Sequence, residues 1–307
     1  MNLDLDRLEP RWPALGALML PALAATTWLV YNVSWFWSHV PDLQFGWLVL
    51  ALCAFLVLEA IPQLPPPRRR WSFVSVTLVG VGLGILAVFQ MYQAAFGTMA
   101  ASIAGLAIGT MCIVTGNILY AFGPAALGTL GAAFYFLLIA FPMPSFIQGL
   151  IVSNLQNFVA AVDVELLKLL GYPAKRSGAL VELAKGQVGV DEACSGFRSL
   201  QSSIMAAVFL GFLQFRQWRW RILLGVLAVV LAVLGNLTRT FYLCRQGAIH
   251  GPESVKGVHD AAGWSVLVFT AAGVACAAWI ITRLQKAVDL RRQVLAAGPA
   301  AREDAKP

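Results

Sequence analysis

Residues 72–93 read SFVSVTLVGVGLGILAVFQMYQ, a run without one charged side chain. A helix needs about twenty predominantly apolar residues to cross the hydrocarbon core of a bilayer, at about 1.5 Å of rise per residue. Outward from this run, comparable stretches lie near 13–32, 45–62, 97–116, 123–142, 195–215, 220–238 and 261–282. The expected fold is an all-α polytopic membrane protein with about eight transmembrane helices. The boundary between the fourth and fifth is the least marked, because Gly and Ala are frequent there and the loop from Asn117 to Gly123 carries no charge.

Composition excludes the soluble alternatives. The 307-residue chain is 59% hydrophobic and 12% charged, whereas charged residues make up about a quarter of a soluble domain. The formal charge of +7 comes from short Lys and Arg clusters between apolar runs. It forms no continuous basic face for nucleic acid, so no nucleic-acid partner is expected. Five cysteines, Cys53, Cys112, Cys194, Cys244 and Cys276, show no CxxC spacing. Neither a disulfide framework, a metal site nor a cofactor is indicated, and a Cys194–Cys244 pair stays open.

Loop charges give the orientation. Arg7 and Arg11, Arg68 to Arg70, Arg216 with Arg219 and Arg221, and the tail from Arg283 to Arg292 fall on one side in an eight-span count. That side is expected to be the cytoplasm, with both termini there. Ala22-Leu23-Ala24 loosely resembles a signal cleavage site, but Trp28, Tyr31 and further spans follow, so the first span is read as retained. The chain reads as one integral membrane domain: five spans in 1–141, an outer segment in 142–194, a three-span core in 195–282 and a polar tail in 283–307.

The outer segment has its own pattern. Ile151, Leu155, Phe158, Val162, Leu166 and Leu169 recur at helical spacing with Asn154, Asn157, Asp163 and Lys168 between them, which predicts an amphipathic helix on the membrane surface. Gly171-Tyr172-Pro173 ends it. Ala179–Leu183 and Gln187–Val190 alternate around Ala184-Lys185-Gly186, a weak hairpin signal. A polar loop is expected from Phe241 to Val258 on the same side.

Three residues of complementary chemistry fall at the outer ends of the last three spans. Cys194 opens the sixth, in EACSGFRS, where unpaired N–H groups and the helix dipole favour thiolate, the nucleophilic form. Arg239 ends the seventh, in GNLTRTFYL, where a fixed guanidinium suits a developing oxyanion. His259 begins the eighth, in VHDAAGW, and is the best placed of three histidines for proton transfer. Taken singly, each has a plain alternative: a structural cysteine, an arginine snorkelling to headgroups, an interfacial histidine. Together they suffice for acyl transfer. Arg198, Asn236 and Glu192 are candidate supporting residues, with packing as their alternative role.

EACSG around Cys194, NxxR from Asn236 to Arg239 and HxxxG from His259 to Gly263, in that order and at span ends, resemble the exosortase and archaeosortase family of membrane-embedded sorting enzymes. The similarity is clearest from about Pro142 to Trp264. The resemblance implies that Cys194, Arg239 and His259 are catalytic. It also implies substrates that are exported proteins ending in a short motif, one transmembrane helix and a basic cluster, cut near that motif at the outer face of the cytoplasmic membrane. The residue set resembles that of other sortases on an unrelated fold, which implies convergence. Membrane lipid surrounds the enzyme, and a lipid or glycan amine is one expected acceptor beside water. A rival class is a transporter or scaffold for polysaccharide export, which predicts charges in mid-span. Glu59 is the one acidic residue near a span interior. A membrane acyl- or glycosyltransferase would need an essential His or Asp pair, for which Asp260 beside His259 is the one adjacent candidate.

Overall fold

The computed structural model describes residues 12–40, 43–189 and 196–296. The chain divides into two compact units, Met1–Gln148 and Gly149–Pro307. Six helical stretches are long and apolar enough to cross a membrane: Gly46–Gln63, Phe73–Phe96, Ala100–Ala121, Ser145–Leu169, Trp218–His250 and Glu253–Arg291. The expected polytopic helical membrane fold is therefore present, with six such stretches among the described residues where the sequence suggested eight.

The first unit holds α1 (Trp12–Leu18), α2 (Leu20–His39), α3 (Gly46–Ala60), α4 (Phe73–Phe96), α5 (Ala100–Ala121) and α6 (Leu130–Phe136). The first expected span is broken at Met19, between α1 and α2. Asn117 of α5 bridges the break: its Nδ2 donates to the Leu18 carbonyl at 3.1 Å, and its Oδ1 accepts from the Ala22 N–H at 3.3 Å. A buried amide thus occupies main-chain groups that a broken helix leaves open. The fifth expected span is three pieces, 3-10 turns at Pro124–Gly128 and Leu137–Ala140 around α6. The uncharged Asn117–Gly123 loop is mostly helix, since α5 runs to Ala121, and the N–H groups of Arg68 and Arg70 donate to the Ala121 and Tyr120 carbonyls. Near α2's other end, buried Trp37 donates from Nε1 to the Ala140 carbonyl at 2.8 Å and stacks edge-on against Trp47.

Glycine decides how α4 meets α5. A Cβ added to Gly82 would lie 2.7 Å from the Gly109 carbonyl oxygen, and one on Gly116 2.8 Å from that of Ser75. With no hydrophobic drive between helices in lipid, such close backbone approach supplies the van der Waals contact that holds them together. Gly105 and Gly109 form a G-x-x-x-G step on the contacting side of α5.

The second unit comprises most of α7 (Ser145–Leu169), a sheet of β1 (Ala174–Ser177), β2 (Leu180–Leu183) and β3 (Gly186–Gly189), then α8 (Phe197–Gln214), α9 (Trp218–His250) and α10 (Glu253–Ala296). The hairpin expected in the outer segment is β2–β3, and β1 adds a third antiparallel strand in the order β1-β2-β3. One side of the sheet, with Val181, Leu183 and Val188, packs with Val159, Val164 and Leu167 of α7 and Leu243 and Cys244 of α9. The stripe of α7 expected to be apolar is largely the outward one: Phe158, Leu166 and Leu169 are exposed, while Asp163 is fully buried with Val159 and Leu167. An exposed apolar stripe on a helix of this length is a surface for lipid.

The polar loop expected from Phe241 to Val258 is almost wholly helical. Helix α9 continues to His250 and α10 starts at Glu253, so the connection is Gly251-Pro252, with Gly251 at φ +91°. Hydropathy marks where an apolar run stops, whereas helix propagation needs only backbone hydrogen bonds and tolerates Arg245 and Gln246. Arg239 consequently sits inside a helix rather than at its end.

Candidate active site

Helices α9 and α10 form an antiparallel pair whose close contacts are made at small residues. Gly235 faces Val266, Phe269 and Thr270, and Gly273 faces Leu231. At Gly263 the neighbour is the Arg239 guanidinium, with Nη2 3.4 Å from where a Cβ would stand. The space a side chain would fill is thus used by a cation lying against α10.

Arg239 Nη2 lies 3.0 Å from His259 Nε2. A guanidinium has donors and no acceptor, so Nε2 must accept and the neutral imidazole carries its proton on Nδ1. Nδ1 lies 3.1 Å from Asp260 Oδ1, which accepts that proton's hydrogen bond. One polar chain therefore runs from guanidinium to imidazole to carboxylate. Its members come from two helices and are fixed in one tautomer. Asp260 is 95% exposed at its side chain, so its attraction for the imidazole is screened by solvent.

Asn236, one turn before Arg239, is buried. Gly196 caps the N-terminus of α8 in a left-handed conformation, φ +82°, and a Cβ there would come within 2.5 Å of Asn236 Cγ. The chain entering α8 is pressed onto Asn236, and glycine meets both the conformational and the steric demand. Arg198 stands exposed in the first turn of α8. Cys194 and Glu192 lie outside the described residues, and with them the Cys194–Cys244 pairing. Cys244 is buried with Leu243 in the core beneath the sheet.

Beside the pair is a cavity of about 480 Å³, lined among others by Gln187, Val188 and Gly189 of β3, Thr240 of α9, and Lys256 and His259 of α10. The volume falls within the range of ligand-binding clefts. His259 thus touches both Arg239 and open space. The sequence reading missed Thr240, the β3 wall and the role of Asp260 toward His259. The adjacency of Asp260 was the one available signal, since a carboxylate beside a histidine can fix its tautomer. The helical spacing predicts Asp163 on the polar side of α7, yet its carboxyl is buried beside the Thr240 hydroxyl, which donates to the main chain of α9.

No curated protein and no solved structure matches the chain. The family model described as transmembrane exosortase (Exosortase_EpsH) matches residues 37–276. That range runs from the end of α2 to the middle of α10 and contains Gly196, Asn236, Arg239 and His259. With the helical membrane fold, the match over more than three-quarters of the length establishes that this chain belongs to the transmembrane exosortase family.

Proposed function

We propose that the protein is a thiol peptidase or transpeptidase of the cytoplasmic membrane that cuts the C-terminal sorting signals of exported proteins at the outer membrane face. The observation that carries this reading is the Arg239–His259 hydrogen bond at the edge of an open cleft. Cys194 is two residues from Gly196, which is held against Asn236, and Asn236 is one helical turn from Arg239.

The reaction begins when the Arg239 N–H donors turn from His259 Nε2 to the oxygen of the scissile carbonyl, which frees the one lone pair of Nε2. Nε2 then takes the proton of the Cys194 thiol as the sulfur attacks the carbonyl carbon. The guanidinium is by then in place for the oxyanion that forms. The Nδ1–H to Asp260 bond steadies the imidazolium. Collapse of the tetrahedral intermediate breaks the C–N bond, the leaving nitrogen takes the proton from Nε2, and a thioester to Cys194 remains. Water as acceptor gives a free carboxylate, and an amine on a lipid or glycan gives a new amide. In either case the sulfur recovers a proton through His259.

The substrate's single helix would lie against the bundle in lipid, with its basic tail on the cytoplasmic side. Arg198 and Glu192 are supporting groups in this reading. The test is co-expression of Cys194→Ala with a tagged exported protein from the same genome that ends in a short motif, an apolar helix and a few arginines. Unprocessed substrate is the expected result; wild-type processing by this variant would remove the nucleophile and the reading with it.

A further inference from the structure

The sheet has two edges that are built differently. The register Leu183↔Gly186, Glu182↔Gln187, Val181↔Val188 and Leu180↔Gly189 closes the β2–β3 hairpin on the two-residue turn Ala184-Lys185. In such a hairpin the residues flanking the turn exchange hydrogen bonds, and bonded and non-bonded pairs then alternate. Leu183–Gly186 and Val181–Val188 are the bonded pairs. The N–H and C=O groups of Gln187 and Gly189 therefore point away from β2. Among the described residues neither makes another main-chain hydrogen bond.

Sheet edges are normally blunted by charge, proline, a bulge or a cover. The outer strand β1, Ala174-Lys175-Arg176-Ser177, carries two adjacent cations. Strand β3, Gly186-Gln187-Val188-Gly189, carries no charge and no proline. Gly186, at φ +140°, lies against Pro252, where a Cβ would stand 2.6 Å from Cγ, and Gly189 lies against the Leu180 side chain. Val188 anchors the strand through its side chain, against Gly247 of α9. The Lys185 ammonium ties the hairpin tip to the Ile249 carbonyl. Among the described residues no strand pairs with this edge, and it forms one wall of the cleft that ends on His259.

We infer that β3 binds the exported substrate by strand addition: the extended peptide at the cleavage motif pairs in the cleft with the main chain of Gln187 and Gly189, which sets the scissile bond beside His259. The inference rests on the peptidase reading and adds its substrate-binding element. A peptide main chain is the occupant that matches, because it repeats donors and acceptors at the strand spacing while its alternate side chains point out of the shared plane. Continuity between this edge and His259 makes the occupant the substrate rather than a second copy of the chain. Recognition by main chain also separates two tasks: the edge supplies position, and the side-chain lining near Lys256 and Thr240 supplies selectivity.

The experiment compares Gln187→Pro with Gln187→Ala in full-length protein, using the tagged exported protein as substrate. Proline removes the outward N–H at an edge position that tolerates it and leaves the pairing to β2 intact. Gln187→Pro is expected to slow processing by about tenfold or more, the value of one lost hydrogen bond and a steric block. Gln187→Ala is expected to slow it by less than about threefold. Labelling of Cys194 by iodoacetamide at the wild-type rate in both variants shows that the site is intact. Wild-type processing by Gln187→Pro, or an equal loss in Gln187→Ala, overturns the inference. Should Gln187→Pro lose the labelling, amide hydrogen exchange decides. In Cys194→Ala protein purified with bound substrate, slowed exchange over residues 186–189 supports strand addition, and unchanged exchange overturns it. Processing by Cys194→Ala would instead overturn the peptidase reading, whereas an inactive Cys194→Ala with a fully active Gln187→Pro removes strand addition alone.

Discussion

In the α4–α5 pair, Gly82 and Gly109 face each other so closely that a Cβ on either would stand 2.7 or 2.9 Å from the other's carbonyl oxygen. In the α9–α10 pair, Gly263 leaves its space to the Arg239 guanidinium, which reaches across to His259. Both pairs are antiparallel helices with short Gly-containing connections, Gly97 to Met99 and Gly251-Pro252. The first spends its glycines on dry backbone contact and carries no ionisable group at that contact. The second admits a cation, an imidazole and an open cleft. Small residues let helices approach in lipid. Whether the approach gives stability or chemistry depends on what the neighbouring helix places in the gap.

This contrast is broken most sharply at Arg239. Arg239→Lys keeps the charge and loses the planar fork of donors, so it is expected to lower processing by about 10²–10³-fold, as for removal of an oxyanion donor, with the melting temperature of the purified protein nearly unchanged. A Lys variant of near wild-type rate would show that charge alone matters. At Gly109 the reverse pattern is expected. Gly109→Ala overpacks a backbone contact and should cost about 1–3 kcal/mol, read as a lower thermal midpoint in detergent, while processing per folded molecule stays at the wild-type level.

Gly196 combines both behaviours. Gly196→Ala forces a left-handed conformation that costs about 1–2 kcal/mol and pushes a methyl into Asn236, so both the thermal midpoint and the processing rate should fall. A drop in stability with an unchanged rate would separate Asn236 from the site. The smallest effect belongs to Asp260, whose carboxylate is nearly fully exposed. Asp260→Asn should lower processing by only about two- to threefold, measured as initial rate, because solvent screens the charge it offers His259.

The helical membrane class was legible in runs such as 72–93, and the ends of the β2–β3 hairpin were close to those suggested by its alternation. The breaks were not. Residues 123–142 are apolar enough to be one helix, and hydropathy does not reveal that Pro124 and Gly128 turn the backbone into short 3-10 and α pieces. Gly105-x-x-x-Gly109 is present in the sequence, but the frequent glycine that blurs the span ends to a hydropathy reading is what lets the helices approach. Strand β1 had no alternation to read, because Lys175 and Arg176 are both polar and its pairing is dictated by β2. Burial of Asp163 depends on α9 and the sheet, none of which is local to α7.

At the site, the residue types and their order are legible in the sequence, while the 3.0 Å contact between Arg239 and His259 depends on the tight Gly251-Pro252 turn. The expected long loop at 241–258 would have left these two helices unregistered. Helix α9 continuing to His250 registers them, so an extension interrupted by Arg245 and Gln246, with Leu243 and Cys244 packed beneath the sheet, sets the geometry of the pair.

The central claim is that Arg239 and His259 serve a thioester on Cys194. Wild-type protein quenched in acid during turnover of the tagged exported substrate should carry a substrate fragment on the peptide containing Cys194, and hydroxylamine should release it. Product formation with no adduct on that peptide, or an adduct on a different residue, would contradict the account.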